Sequence, residues 1–258
     1  MDLQLGGRKA LVTGGSAGIG LAIVHALLAE GAQVVVPGRS RDKLDHAFPG
    51  NDAALVKVVA DPATAEGAAT LAAAVDEVDI LVNNLGIYEA RPFVEISDEE
   101  WLRIFEVNVL GGVRLARRYF PGMLERNWGR VIFVSSESGV MTPPEMIHYG
   151  VTKSSQLALS RGMAELTRGT GVTVNAVMPG PTRSEGIVEF LQEMASPGAN
   201  PAEAEREFFE KHRSSSLLQR LIEGKEVASL VAYLASPLAA ATNGAALRVE
   251  GGLLRSIA

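Results

Sequence analysis

The chain has 258 residues, 47% of them hydrophobic and 21% charged, a balance that suits one globular domain with a sizeable core. It has no cysteine, which excludes disulfides, thiolate metal sites and a cysteine nucleophile; a metal site of any kind is not expected. A formal net charge of −6 without a long basic run argues against nucleic acid as a partner.

No apolar stretch approaches the roughly 20 residues needed to span a bilayer, so no membrane association is expected. Met1-Asp2-Leu3-Gln4 has no cationic segment leading into an apolar one, so no signal peptide is expected, and the expected location is cytoplasmic.

The first apolar run, Ala10-Leu11-Val12, reads as a buried strand. It leads into Thr13-Gly14-Gly15-Ser16-Ala17-Gly18-Ile19-Gly20, after which Ile19, Ile23, Ala26 and Leu27 recur at helical spacing. Glycines in such a turn let the backbone approach a pyrophosphate without Cβ interference. The helix start then offers free N–H groups at the positive end of its dipole. Gly14, Ser16, Ala17, Gly18 and Ile19 are therefore candidate cofactor contacts. The spacing of Gly14, Gly18 and Gly20 is not that of the G-x-G-x-x-G fingerprint, and a tight turn without a ligand would share these residues.

A second strand, Val34-Val35-Val36, ends in Pro37-Gly38-Arg39-Ser40. That point lies roughly 20 residues past the glycines, where NAD-specific proteins carry an acid for the ribose hydroxyls. Here Arg39 is positioned to pair with a 2′-phosphate and Ser40 to donate a hydrogen bond. NADP(H) is the preferred cofactor on this reading, with NAD(H) as the alternative.

Leu55 to Val59 and Ile80-Leu81-Val82 read as strands three and four. Ser97-Asp98-Glu99-Glu100 is a capping-box start for a helix expected to run through Trp101, Phe105 and Leu115. Strand five, Val131 to Val134, ends at Ser135-Ser136; Val172 to Val177 and Ala246 to Val249 are strands six and seven. Strands apolar on both faces, alternating with amphipathic helices, predict a doubly wound α/β sheet of about seven strands. Between Pro181 and about Leu217 the composition turns rich in Pro, Gly, Ser and Glu. Residues 181–216 are expected to be an insertion, a substrate lid, within a single domain of residues 1–258.

Tyr149 and Lys153 are four residues apart, which puts both on one helix face. An unperturbed phenol has a pKa of about 10. An ammonium about 4 Å away at an effective dielectric near 20 contributes roughly 4 kcal/mol, enough to predict a phenol that trades protons near pH 7. Ser136, at a strand end, can hydrogen-bond a substrate oxygen.

Together these motifs resemble the short-chain dehydrogenase/reductase family, in its single-domain branch, over essentially the whole chain. The resemblance implies a Rossmann-like parallel sheet of order 3-2-1-4-5-6-7 with helices on both faces. It also implies a catalytic set of Asn108, Ser136, Tyr149 and Lys153, with Lys153 also holding the nicotinamide ribose and Asn108 anchoring a relay water. Asp61, followed by Pro62, matches the acid that contacts adenine. Asn84 and Gly86 fall in the Asn-Asn-x-Gly motif, and Pro179-Gly180 followed by Thr182 matches the segment that meets the nicotinamide. The function implied is reversible NADP(H)-dependent oxidation of a secondary alcohol or reduction of a ketone. The alternative is a regulatory protein that binds NADPH without catalysis. A small-molecule carbonyl or alcohol substrate and a homo-oligomer, tetramer or dimer, are the expected partners.

Overall fold

A computed structural model describes residues 1–257. Strands β1 (Lys9–Val12), β2 (Gln33–Gly38), β3 (Leu55–Val59), β4 (Ile80–Asn83), β5 (Gly129–Val134), β6 (Val172–Pro179) and β7 (Ala246–Val249) form one sheet of order β3-β2-β1-β4-β5-β6-β7. Every neighbouring pair is parallel. All seven expected strands are present, in the order the resemblance implied.

Helices α1 (Gly18–Ala29), α2 (Arg41–Ala47), α3 (Ala65–Ala74), α4 (Asp98–Phe105), α5 (Gly111–Glu125), α6 (Ile147–Glu165), α7 (Glu185–Met194), α8 (Pro201–His212) and α9 (Gly224–Ala235) connect the strands. Strand side chains alternate between faces, and each face buries its own layer. Val12, Val34, Ile80 and Ile132 pack with Val24 of α1 and Val231 of α9. The alternate positions Leu11, Val35, Leu81 and Phe133 pack with Leu71 of α3 and Leu115 of α5. This two-sided covering is why the strands read as uninterrupted apolar runs.

The Ser97 capping box forms as the sequence requires. Its helix reaches Leu115 only after a π turn at Glu106–Leu110 that separates α4 from α5. Residues 181–216 carry α7 and α8, which share a small apolar cluster of their own: Leu191, Ala204, Phe208, Phe209 and Leu221. Among the described residues no helix is long and apolar enough to cross a membrane.

In a doubly wound sheet the strand order reverses beside β1, and the crevice at the carboxyl ends of β1 and β4 is where ligands bind. The Thr13 N–H donates to the Val82 carbonyl (3.1 Å), and the Asn84 N–H donates to Thr13 Oγ1 (2.9 Å), so these two strand ends are tied at that crevice.

Phe133 is 1% exposed in the layer under α5. Phe133→Ala is expected to lower the unfolding free energy by about 3–5 kcal/mol, read as a lower urea midpoint at unchanged slope.

Candidate active site

The glycine turn between β1 and α1 has the geometry its composition suggests. Gly14 and Gly18 have positive φ angles of 62° and 51°, a region L side chains rarely adopt. A Cβ on Gly20 would lie 2.1 Å from the Gly14 carbonyl oxygen, so only glycine lets α1 start this close to the turn. Ala17 caps α1 in extended conformation with no side-chain hydrogen bond, and the first turn carries no acid. The first N–H groups of α1 are thus left for an anion. Ser16 and Ile19 are half-buried beside them.

Arg39 follows β2 at the same edge; it is exposed and makes no ion pair or side-chain hydrogen bond among the described residues. Ser40 caps α2, its oxygen accepting the Lys43 N–H (3.4 Å), which leaves its own O–H free to donate. After β3, Asp61 Oδ1 accepts the Ala63 N–H (3.1 Å), and Pro62, lacking an N–H, is buried. Asn84 braces the glycine turn: its side-chain amide donates to the carbonyls of Thr13 (3.0 Å) and Gly14 (3.3 Å). Pro179 is buried at the end of β6, Gly180 donates to the Val249 carbonyl (2.9 Å), and Thr182 Oγ1 donates to the Gly180 carbonyl (2.8 Å).

Ser136 follows β5 and caps the short turn Glu137–Gly139. Tyr149 and Lys153 both come from the first half of α6, and the Lys153 Nζ lies 5.5 Å from the centre of the Tyr149 ring. Lys153 Nζ donates to the Val134 carbonyl (2.9 Å) and to Gln156 Oε1 (3.1 Å). A Cβ on Gly86 would lie 3.5 Å from that Nζ, so the loop after β4 borders the lysine closely.

Asn108 sits in the π turn. Its Oδ1 accepts the Ile87 N–H (2.8 Å), and its Nδ2 donates to the Ile87 carbonyl (2.9 Å) and to Thr152 Oγ1 (3.0 Å). The Asn108 main-chain carbonyl accepts from Gln156 Nε2 (2.5 Å). Gln156 therefore bridges Lys153 to Asn108, where the resemblance puts a water.

The electrostatics differ from the sequence expectation. Burial, then the Glu137 carboxyl, pushes the Tyr149 pKa above its ordinary value, with Ser136 opposing. Burial also lowers Lys153 to about 7, with Glu137 opposing. An ammonium at about 4 Å favours the ionised phenol; in the protein the loss of water around both groups outweighs it. The ammonium, moreover, is directed at Val134 and Gln156.

Three residues outside the motifs above also shape the site: Glu137, Gln156 and Arg213. Gln156 follows Lys153 by three residues on one helix, a spacing that could have flagged it. Arg213 has no sequence signal: folding alone brings it to 3.8 Å from Glu137 and 3.3 Å from Glu145. His148 points away from the site, packing edge-on against Trp101 (5.9 Å).

A family model described as short chain dehydrogenase matches residues 8–195. The chain belongs to the short-chain dehydrogenase family. It is accordingly an enzyme that acts on CH–OH or carbonyl groups with NAD(P). It is 48% identical over 264 residues to the uncharacterized oxidoreductase YvaG of Bacillus subtilis strain 168, covering 100% of both chains. It is 34% identical to a 3-oxoacyl-acyl-carrier-protein reductase of Vibrio cholerae, over 97% of this chain and 99% of that one. Among solved structures, the L-sorbose reductase of Gluconobacter frateurii, complexed with NADPH and L-sorbose, superposes with a TM-score of 0.91 at 29% identity over 100% of each chain.

The residues fit a dinucleotide on their own geometry: two positive-φ glycines and an uncapped helix start form a cradle that a Cβ would fill.

The lowered Lys153 pKa has a thermodynamic consequence. Between about pH 7 and the lysine's ordinary 10.5, the unfolded chain holds a proton at this position that the folded chain has lost, so stability rises with pH there. In Lys153→Met the difference from wild type should favour the variant most near pH 7 and narrow toward about pH 10. Urea unfolding at stepped pH measures this; a constant difference would show that burial does not depress the lysine.

Proposed function

We propose that the protein is an NADP(H)-dependent oxidoreductase that interconverts a secondary alcohol and a ketone, with Tyr149 as the acid/base. The observation that carries this reading is the convergence of Ser136, Tyr149 and Lys153 at the carboxyl edge of the sheet, beside the glycine cradle. When bound, the nicotinamide supplies or takes the hydride. Tyr149, held protonated by burial, donates the accompanying proton to the carbonyl oxygen during reduction and takes it back during oxidation. Ser136 donates a hydrogen bond to the same oxygen as charge develops on it. Lys153 supplies positive charge near the phenol, and Asn108 secures the Ile87 segment and the start of α6 through Thr152.

For the cofactor, support comes from Arg39, a cation with no ion pair among the described residues at the end of β2 where no acid stands, and from the NADPH in the sorbose reductase structure. Gly14, Ser16, Ala17, Gly18 and Ile19 would hold the pyrophosphate, Asp61 and Pro62 the adenine side, and Pro179, Gly180 and Thr182 the nicotinamide side, with Asn84 and Gly86 lining the cofactor after β4.

Residues 181–216 serve as the substrate lid. Phe190 of α7 packs edge-on against Tyr88 (6.2 Å), and Tyr88 in turn packs edge-on against Tyr149 (6.1 Å), so the segment reaches the site through two aromatic contacts. The reading extends to a cytoplasmic homo-oligomer, tetramer or dimer, for which exposed Leu102, Phe105 and Val151 on α4 and α6 offer apolar surface.

Tyr149→Phe is expected to keep NADPH affinity near wild type, by fluorescence titration, while ketone reduction falls about 10²–10⁴-fold; unchanged turnover would end the mechanism. Arg39→Ala should lower the preference for NADPH over NADH, as a ratio of kcat/KM, by roughly ten- to a hundredfold, the loss of one or two charge-assisted hydrogen bonds. A variant with its full preference intact would mean that Arg39 is not the selector.

A further inference from the structure

Glu137 directly follows Ser136 and is 4% exposed. Its Oε2 lies 2.5 Å from Ser136 Oγ, and its Oε1 lies 3.2 Å from Ser138 Oγ. The groups facing it are Arg213 from the segment after α8, with Glu145 beyond that arginine, and Tyr149 and Lys153 from α6. Among the described residues Arg213 is the one cation in an ion pair with Glu137, and it is not a hydrogen-bond partner. Its Nε is 3.8 Å from Glu137 Oε1, beyond hydrogen-bond range, and that buried Nε has no hydrogen-bond partner among the described residues. Its Nη1 is directed instead to Glu145 Oε1 (3.3 Å) and the His212 carbonyl (2.8 Å). Lys153 is likewise directed to Val134 and Gln156. A carboxyl removed from water is ionised only as far as its partners offset the lost solvation; Glu137 has two serine hydroxyls at hydrogen-bond distance and a guanidinium at 3.8 Å, and no hydrogen bond from a cation among the described residues.

The Ser136 hydroxyl has one hydrogen to give and two lone pairs. One lone pair accepts the Ser138 N–H (3.1 Å). An ionised Glu137 can only accept, so it would capture the Ser136 hydrogen. Ser136 would then present a lone pair to the lone pairs of a carbonyl oxygen, and Tyr149 would be that oxygen's sole donor. A protonated Glu137 reverses the arrangement: it donates to the second lone pair, and the Ser136 hydrogen is free to turn into the site.

We propose that Glu137 is a positioning residue that, in its protonated form, donates to Ser136 Oγ and so orients the Ser136 hydrogen toward the substrate's carbonyl oxygen. The proposal rests on the ketone-reductase reading above. Burial pushes the Glu137 carboxyl above its ordinary range against the opposing pull of Ser136, Arg213 and Ser138, in accord with the hydrogen-bond arithmetic.

Two readouts test it. Infrared difference spectra of the cofactor-free protein, wild type minus Glu137→Gln, should contain the carbonyl stretch of a protonated carboxylic acid at pH 7, fading on alkaline titration. In steady-state ketone reduction, Glu137→Gln, whose amide can still donate to Ser136, should keep kcat within about tenfold of wild type. Glu137→Ala should lose about 10²-fold in kcat, the cost of one misdirected donor to a developing oxyanion, with NADPH affinity and KM little changed. No acid band at pH 7, or a Glu137→Ala variant with wild-type kcat, overturns the proposal. Tyr149→Phe run in parallel separates the two readings. If Tyr149→Phe is inactive and Glu137→Ala fully active, only the role of Glu137 is lost. A wild type that reduces no ketone overturns both.

Discussion

Removal of water from the carboxyl edge of the sheet sets the properties of this site before any ligand is considered. Ser136, Glu137 and Lys153 are each 5% exposed or less, and the loop after β5, the start of α6 and the end of α8 close around them. In that setting a charge is tolerated only where a polar partner meets it. The lysine is met by a backbone carbonyl and a glutamine. Burial pushes both the phenol and the carboxyl above their ordinary pKa values, the carboxyl against two serines and the Arg213 guanidinium 3.8 Å away. The direction of each pKa shift follows from this competition between lost solvent and available partners.

The parallel sheet makes such a concentration of groups achievable. Because every strand runs the same way, the glycine turn, Arg39, Asp61, Asn84, Ser136 and Pro179, which span the sequence from the first strand to the sixth, all emerge at one edge. The packing that holds them there is apolar and two-sided. The polar bonds that fine-tune them, such as Asn84 to the glycine turn and Asn108 to Ile87 and Thr152, are short links between neighbouring strand ends and the helix that follows.

Much of this was legible in the amino-acid order, because the signals are local. Strand positions followed from apolar runs, the α4 start from Ser97 and Glu100, and the pairing of Tyr149 with Lys153 from helical periodicity. What could not be read required distances between remote parts of the chain. Arg213 meets Glu137 across a separation of 76 residues in sequence, with no periodicity to announce it. The π turn at Glu106–Leu110 also escaped, because its residues fit an ordinary helix equally well. The misjudged sign of the tyrosine shift had a different cause. Charge spacing is visible in a sequence, whereas the depth at which a helix face is buried is not.

The apolar cluster joining α7, α8 and Leu221 is separate from the two layers that cover the sheet. A segment with its own interior can loosen without melting the body that carries it, because local opening draws on the stability of that interior alone. The same separation makes the segment a module: residues such as Leu191 or Phe209 pack only within their own cluster, so exchanging them leaves the two layers that cover the sheet untouched.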